Sequence, residues 1–148
     1  MQAQMLAPAA VLIAWSLVMC VWMAATRLPA MKAKMGGVGK AKPGGRGQDL
    51  EGVLDDRVNW KAHNYAHLME QPTLFYAASL IIALLGAAAG DVLAAWIYVA
   101  LRIVHSIWQA TVNIVSVRFA LFLASTIALV WLAYRALSLA LFPEMVAA

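Results

Sequence analysis

Charged residues are scarce in this sequence: 11 Lys or Arg and 7 Asp or Glu make up 12% of 148 residues, whereas 64% are hydrophobic. A soluble domain carries about a quarter charged residues. A disordered chain combines few apolar residues with many charges. The composition therefore argues against both classes. The single cysteine, Cys20, excludes an internal disulfide. The length allows one domain, and the composition favours a membrane protein.

Four long apolar runs account for most of the chain. A membrane-spanning helix needs about 20 mostly apolar residues, which predicts spans over about 6–28, 62–88, 92–115 and 119–141. No strand-like alternation competes with them. The predicted fold is all-α, a four-helix membrane bundle that forms a single domain over residues 1–148. Pro72 is expected to kink the second helix just beyond Glu70.

Positive charge is concentrated between the first two runs. No charged residue precedes Arg27, and eight basic and four acidic residues lie from Arg27 to Lys61. A signal peptide would carry its positive charge before the apolar run, and a nucleic-acid binder would spread it over a folded face. The positive-inside rule instead places this Gly-rich loop, about 29–58, in the cytoplasm and both termini outside. We expect a flexible linker beside anionic lipid headgroups.

Polar residues inside the spans are candidate site residues, because burying them in a bilayer is costly. His63, His67 and Glu70 share one face of the second span by their helical spacing, and a polar face of the third span descends to the same cytoplasmic layer. The full candidate set is His63, Asn64, His67, Glu70, Arg102, His105, Gln109, Asn113 and Arg118. Two arginines in this layer predict a polar, net-anionic ligand. The apolar flanks could admit a lipophilic second substrate from the bilayer.

Several simpler interpretations stay open for these residues. Glu70 and Arg102 are expected to neutralise each other, since buried charges are normally paired. His63 lies near the interface and is expected to be solvated. Arg118 could equally anchor the fourth helix at the membrane surface, and Arg135 is predicted to be such an anchor at the outer end.

A metal site is a minority interpretation. His63, His67, Glu70 and His105 are acceptable ligand types for zinc or iron. However, the chain contains no His-Glu-x-x-His sequence, and the nearby arginines would repel a cation. We therefore expect no metal.

Two stretches resemble the MAPEG superfamily, the membrane-associated proteins in eicosanoid and glutathione metabolism. Asn64-Tyr-Ala-His-Leu-Met-Glu-Gln-Pro-Thr-Leu-Phe-Tyr76 is similar to its second helix. Trp96-Ile-Tyr-Val-Ala-Leu-Arg-Ile-Val-His-Ser-Ile-Trp108, followed by Asn113 and Arg118, is similar to its third helix and the start of its fourth. The resemblance is strongest to a largely uncharacterised bacterial branch.

This resemblance implies a homotrimer in a bacterial inner membrane, with glutathione bound between adjacent protomers near the cytoplasmic side. By motif position, Glu70, His105 and Arg118 correspond to residues that contact glutathione, and Arg102 corresponds to a network arginine. Arg118 matches the arginine credited with activating the thiol. The implied partners are membrane lipids and a lipophilic small molecule, not nucleic acid. The implied activity is that of a glutathione transferase or peroxidase.

The second and third helices also depart from the family pattern. His67 stands where characterised enzymes often have Asn, His63 and Ala66 stand where they often have Arg, and Gln109 replaces a frequent Tyr. Some family members are non-catalytic lipid-binding scaffolds, because a fold can persist when its ligand is lost. A scaffold is therefore the main alternative function.

Overall fold

The computed structural model describes residues 1–142, which fold into helices and connecting turns without any β-strand. These residues form five helices: α1 Gln2–Met35, α2 Asp56–Leu68, α3 Pro72–Leu85, α4 Ala89–Thr111 and α5 Val115–Leu141. Two short 3-10 helices, Val38–Lys40 and Gly47–Leu50, lie between α1 and α2. The all-α prediction is confirmed for this part of the chain.

Helices α2 and α3 together make one span. Within the described residues, four helical segments are long and apolar enough to cross a membrane, and Asp56–Leu85 is the second of them. The helix is interrupted at residues 69–71, and Pro72 is the first residue of α3. Proline is tolerated at that position because its missing N–H has no helical partner there. The kink expected at Pro72 is therefore a break, and Glu70 lies inside it.

The bundle core is apolar, and so is most of its outer surface. Helix α1 packs against α2, α3 and α4, and α5 packs against α3 and α4. Fully buried side chains at the centre include Leu12, Phe75 and Leu132. Large aliphatic side chains such as Val21 and Leu84 are more than 65% exposed. A surface of this kind is stable in lipid rather than in water.

Helix α1 continues beyond the span predicted for it. It runs through Pro29 to Met35 and ends at Gly36, which has a left-handed φ of 77°. The N–H of Gly36 donates to the carbonyl of Lys32 at 3.2 Å, which is the bond of an αL cap. The loop expected over about 29–58 is thus limited to residues 36–55.

The end of that loop is docked on the helices. Leu50 and Leu54 are buried and pack with Met31 of α1. The Asn59 amide of α2 donates to the carbonyls of Leu50 and Leu54 at 3.2 and 3.4 Å. The docking concerns residues 50–54, whose two leucines bury apolar surface and whose backbone accepts from a buried amide. The Gly-rich residues 38–49 are exposed, and the flexible linker expected there stays a prediction.

A buried ion pair closes the end of the bundle where α4 begins. Asp91 is 1% exposed, and its carboxylate accepts from Nε and Nη2 of Arg135 at 3.0 and 3.4 Å. Its second oxygen also accepts from the Ala88 N–H that precedes α4. Arg135 was expected to be a surface anchor. Instead it joins α5 to α4, because a buried carboxylate needs a charged partner.

Candidate functional site

His67, His105 and Arg118 meet at one cavity. This cavity, the polar cavity, has a volume of about 190 Å³ and opens to the outside. The histidine rings come from α2 and α4, with centroids 5.0 Å apart, and Arg118 enters from the first turn of α5. Three helices thus place cationic and imidazole groups together. The complete lining of the polar cavity is His67, His105, Val115, Arg118, Phe119 and Phe122.

The turn between α4 and α5 positions Arg118. Asn113 has a positive φ of 58°, the left-handed conformation that asparagine tolerates better than most residues. Its N–H donates to the carbonyl of Trp108 at 2.8 Å, which holds the turn against the end of α4. Its side-chain oxygen then accepts from Nη1 of Arg118 at 2.6 Å. Asn113 therefore fixes the guanidinium at the edge of the polar cavity.

His67 is held from two sides. Its Nδ1 lies 2.9 Å from the Glu70 carboxylate, and its Nε2 lies 3.4 Å from Nη1 of Arg102. A guanidinium can only donate, so Nε2 accepts there and Nδ1 carries the proton that it donates to Glu70. This network assigns the tautomer of His67. It also orients the ring toward His105.

Arg102 lies fully buried behind the polar cavity. Its Nη2 donates to the backbone carbonyl of His67 at 3.1 Å, and its guanidinium stands 5.9 Å from the centre of the Phe122 ring. Its Nε is buried without a hydrogen-bond partner among residues 1–142. None of the three ion pairs found within residues 1–142 involves Arg102.

The expected pairing of Glu70 with Arg102 is therefore wrong. Glu70 pairs with His67, and its side chain is 67% exposed, whereas Arg102 is 0% exposed. The helical spacing explains the difference. Glu70 follows Ala66 by four residues and His63 by seven, and both of these are exposed, so Glu70 continues the outer face of α2 rather than its buried face.

Three other candidates lie away from the polar cavity. Nε2 of His63 pairs with Glu51 of the docked loop at 3.0 Å, on an exposed surface. Asn64 and Gln109 are buried but do not line the cavity. Sharing a helix face in the sequence does not place residues at one depth along that face, because each turn moves the side chain by about 5.4 Å.

The aromatic wall of the polar cavity was missed by the sequence analysis. Phe119 and Phe122 line it beside Arg118, and Phe122 lies 5.6 Å from the His67 ring. Phe122 contained a usable signal, since it stands four positions after Arg118, a spacing that places two side chains on the same face of a helix. The apolar character of the whole α5 segment concealed that signal.

The geometry does not favour the metal interpretation. No group of three or more His, Cys, Asp or Glu side chains within residues 1–142 is arranged to hold a metal ion. His63 is engaged with Glu51 on an exposed surface, apart from the neighbouring rings of His67 and His105, so the residues proposed as ligands do not all meet at one point.

Comparison with protein families identifies the family to which this chain belongs. Residues 5–138 match the MAPEG family. The chain belongs to the MAPEG family. It is therefore an integral membrane protein of the group related to glutathione and eicosanoids, and its four apolar helices agree with the four-helix bundle of that family. No curated protein and no solved structure gives a significant match.

Proposed function

We propose that this MAPEG protein binds glutathione at the polar cavity and activates its thiol toward a lipophilic electrophile or hydroperoxide. The observation that carries the proposal is the meeting of His67, His105 and Arg118 at one opening with an aromatic wall. Family membership adds the glutathione-related context. Arg118 would be the catalytic residue.

The residues at the polar cavity suit an anionic thiol peptide. Arg118 offers a guanidinium fork for a carboxylate or thiolate, and Arg102 adds a second positive charge behind His67. Glu70 is exposed beside them and can accept from a ligand ammonium group. The donor set therefore matches a molecule that carries more carboxylates than ammonium groups.

Bound glutathione would supply a thiol that, as thiolate, forms a sulfur–carbon bond or reduces a peroxide. A thiol with a pKa of about 8.5 is mostly protonated at neutral pH. The Arg118 guanidinium favours the anion, which is the nucleophile. Phe119 and Phe122 provide an apolar approach for the second substrate from the lipid side. Asn113 holds Arg118 in place through its 2.6 Å hydrogen bond.

The size of the polar cavity supports a homotrimer with shared sites. A volume of about 190 Å³ is below the roughly 300–1,000 Å³ typical of drug-sized ligand sites. One chain therefore provides only part of a glutathione site. Glu70 also exposes 67% of its side chain within an apolar span, where an exposed carboxylate is costly even when it is hydrogen-bonded to His67. A second protomer packed on this face would complete the wall and cover the carboxylate.

One observation favours the non-catalytic alternative, a lipid-binding scaffold. The carboxylate of Glu70 is already bound to His67, at a position where the family often has Asn. A ligand ammonium would have to displace or share that contact. The scaffold alternative predicts bound lipid at the polar cavity and no turnover with glutathione.

Thermal unfolding of the detergent-purified protein against glutathione concentration tests the proposal. At a hundred times the Kd, binding to the native state adds about 2.7 kcal/mol of stability. We expect a saturable shift that Glu70→Gln loses. Arg118→Ala should lose the ultraviolet absorbance of the bound thiolate while the trimer persists in size-exclusion chromatography. Arg57→Ala, which removes an exposed arginine of α2 away from the cavity, is the matched control.

Two results would contradict the proposal. Thiolate absorbance that is unchanged in Arg118→Ala would remove Arg118 from the catalytic role. The absence of any shift at millimolar glutathione, with an intact oligomer, would favour the scaffold, and copurified lipids would then be identified by mass spectrometry.

A further inference from the structure

A second cavity lies between the end of α1 and the docked loop, away from the polar cavity. This interfacial cavity has a volume of about 650 Å³ and one carboxylate against three cationic side chains. The lining residues that bear on its ligand are Arg27, Met35, Lys42, Arg46, Asp49 and Val53. The size falls within the range of about 300–1,000 Å³ that holds drug-sized ligands.

The interfacial cavity is built by specific contacts. Nη2 of Arg27 donates to the carbonyl of Gly47 at 2.6 Å and lies 3.4 Å from the Asn59 side-chain oxygen. Asn59 in turn donates to the carbonyl of Leu50. Buried Met31 packs against Leu50 below these hydrogen bonds. Both walls are therefore held in place by buried groups.

The interfacial cavity carries more positive than negative charge. The backbone N–H of Arg46 donates to the only lining carboxylate, Asp49, at 2.8 Å. Lys42 and Arg46 take part in none of the ion pairs formed within residues 1–142. Two exposed cations thus remain available beside Arg27. An anionic group is the complementary ligand.

The interfacial cavity lies at the level of the lipid headgroups, which indicates that the anion comes from the bilayer. Helix α1 has 34 residues, so it is about 51 Å long at 1.5 Å per residue. A hydrocarbon core is only about 30 Å thick, so the last turns of α1 reach the headgroup region. Val38 and Val53 leave 57% and 44% of their surface exposed at this level. Apolar and cationic surfaces side by side suit an amphiphile.

We propose that the interfacial cavity binds one anionic membrane lipid, with its phosphate between the cations of Lys42 and Arg46 and its upper acyl chain against Met35 and Val53. This binding goes beyond the proposed glutathione function and does not require it. It also differs from diffuse attraction between a basic loop and a charged membrane, because it needs these particular cations and this apolar wall.

The test titrates detergent-purified, full-length protein with dioleoyl phosphatidylglycerol, using native mass spectrometry and thermal unfolding. Dioleoyl phosphatidylcholine, which has the same chains and no net charge, is the control lipid. We expect saturable binding of one phosphatidylglycerol per chain. The double variant Lys42→Gln/Arg46→Gln should weaken it roughly tenfold or more.

Matched variants separate the interfacial cavity from general electrostatics. Lys32→Gln/Lys34→Gln removes the same charge from exposed positions of α1 that do not line the cavity, and should leave the apparent Kd within about twofold. Val53→Asn adds no charge, alters only the apolar wall and should also weaken binding. All the substituted positions are exposed, so we expect folding to be retained, which size-exclusion chromatography checks.

Three outcomes would overturn the proposal. Equal losses in the two double variants would mean diffuse attraction. Equal binding of phosphatidylcholine would mean that the charge has no role. Saturation by glycerol 3-phosphate or oleate alone, at the concentration where phosphatidylglycerol saturates, would assign the interfacial cavity to a free anion instead of a membrane lipid.

Discussion

Asp91 and Arg102 are both buried on α4, Asp91 near its start and Arg102 past its middle. Their charges have different partners. Asp91 is held by two nitrogens of Arg135 and by the Ala88 N–H. Arg102 has no carboxylate partner within residues 1–142 and instead donates to the backbone of His67. The charge of Asp91 is therefore compensated within the bundle. The charge of Arg102 is not, and it lies directly behind the polar cavity.

This contrast separates a structural charge from one that can serve a ligand. A buried ion pair neutralises itself and mainly secures the packing of two helices. A buried arginine without a counter-ion is unfavourable by itself, and an anionic ligand nearby would relieve that cost. We therefore expect substitutions in the Asp91–Arg135 pair to lower the stability of the protein, and a substitution of Arg102 to lower its ligand affinity.

The largest effect is expected for Asp91→Asn. It leaves Arg135 without its counter-ion and should lower the free energy of unfolding by about 3 kcal/mol. Unfolding in mixed detergent micelles, followed by tryptophan fluorescence, measures the change. Asp56→Asn removes an exposed carboxylate at the start of α2 and should cost less than about 1 kcal/mol. Similar losses for the two variants would mean that the Asp91–Arg135 pair has no special role.

An intermediate effect, of a different kind, is expected for Arg102→Met. Replacing an unpaired buried charge by an apolar side chain of similar length should change the free energy of unfolding by no more than about 1 kcal/mol. Glutathione affinity should fall roughly tenfold, because His67 loses the donor that sets its tautomer. Arg135→Met is the mirror control, with lost stability and retained binding. A variant of Arg102 that unfolds as easily as Asp91→Asn would break the comparison.

The smallest effect is expected for His63→Gln. Its pair with Glu51 joins two side chains that are 45% and 56% exposed, so the loss should be below about 0.5 kcal/mol. Glutathione binding should not change, since His63 does not line the polar cavity. The same unfolding and binding measurements apply. A clear loss of binding would return His63 to the site and require a different arrangement of α2.

Sequence reasoning predicted the architecture well and the pairings poorly. The family and, for residues 1–142, the all-helical class follow from the chain and are confirmed, and four helices are long and apolar enough to span a membrane. The meeting of His67, His105 and Arg118 also follows the predicted polar layer. The predicted pairing of Glu70 with Arg102 was wrong, because Glu70 lies on the exposed face of α2 and pairs with His67, whereas Arg102 is buried. The docked loop was missed, because glycine content gives no sign of two buried leucines.

The apolar runs determine that this chain has four helices long and apolar enough to cross a membrane, because each span must satisfy its own backbone hydrogen bonds and must be apolar by itself. That requirement is local, so it can be read from consecutive residues. Which polar groups meet depends on how each helix is rotated, where it breaks and which neighbour it packs against. Only the tertiary structure therefore decided that Asp91 pairs with Arg135, that Glu70 pairs with His67, and that Arg102 stays without a carboxylate.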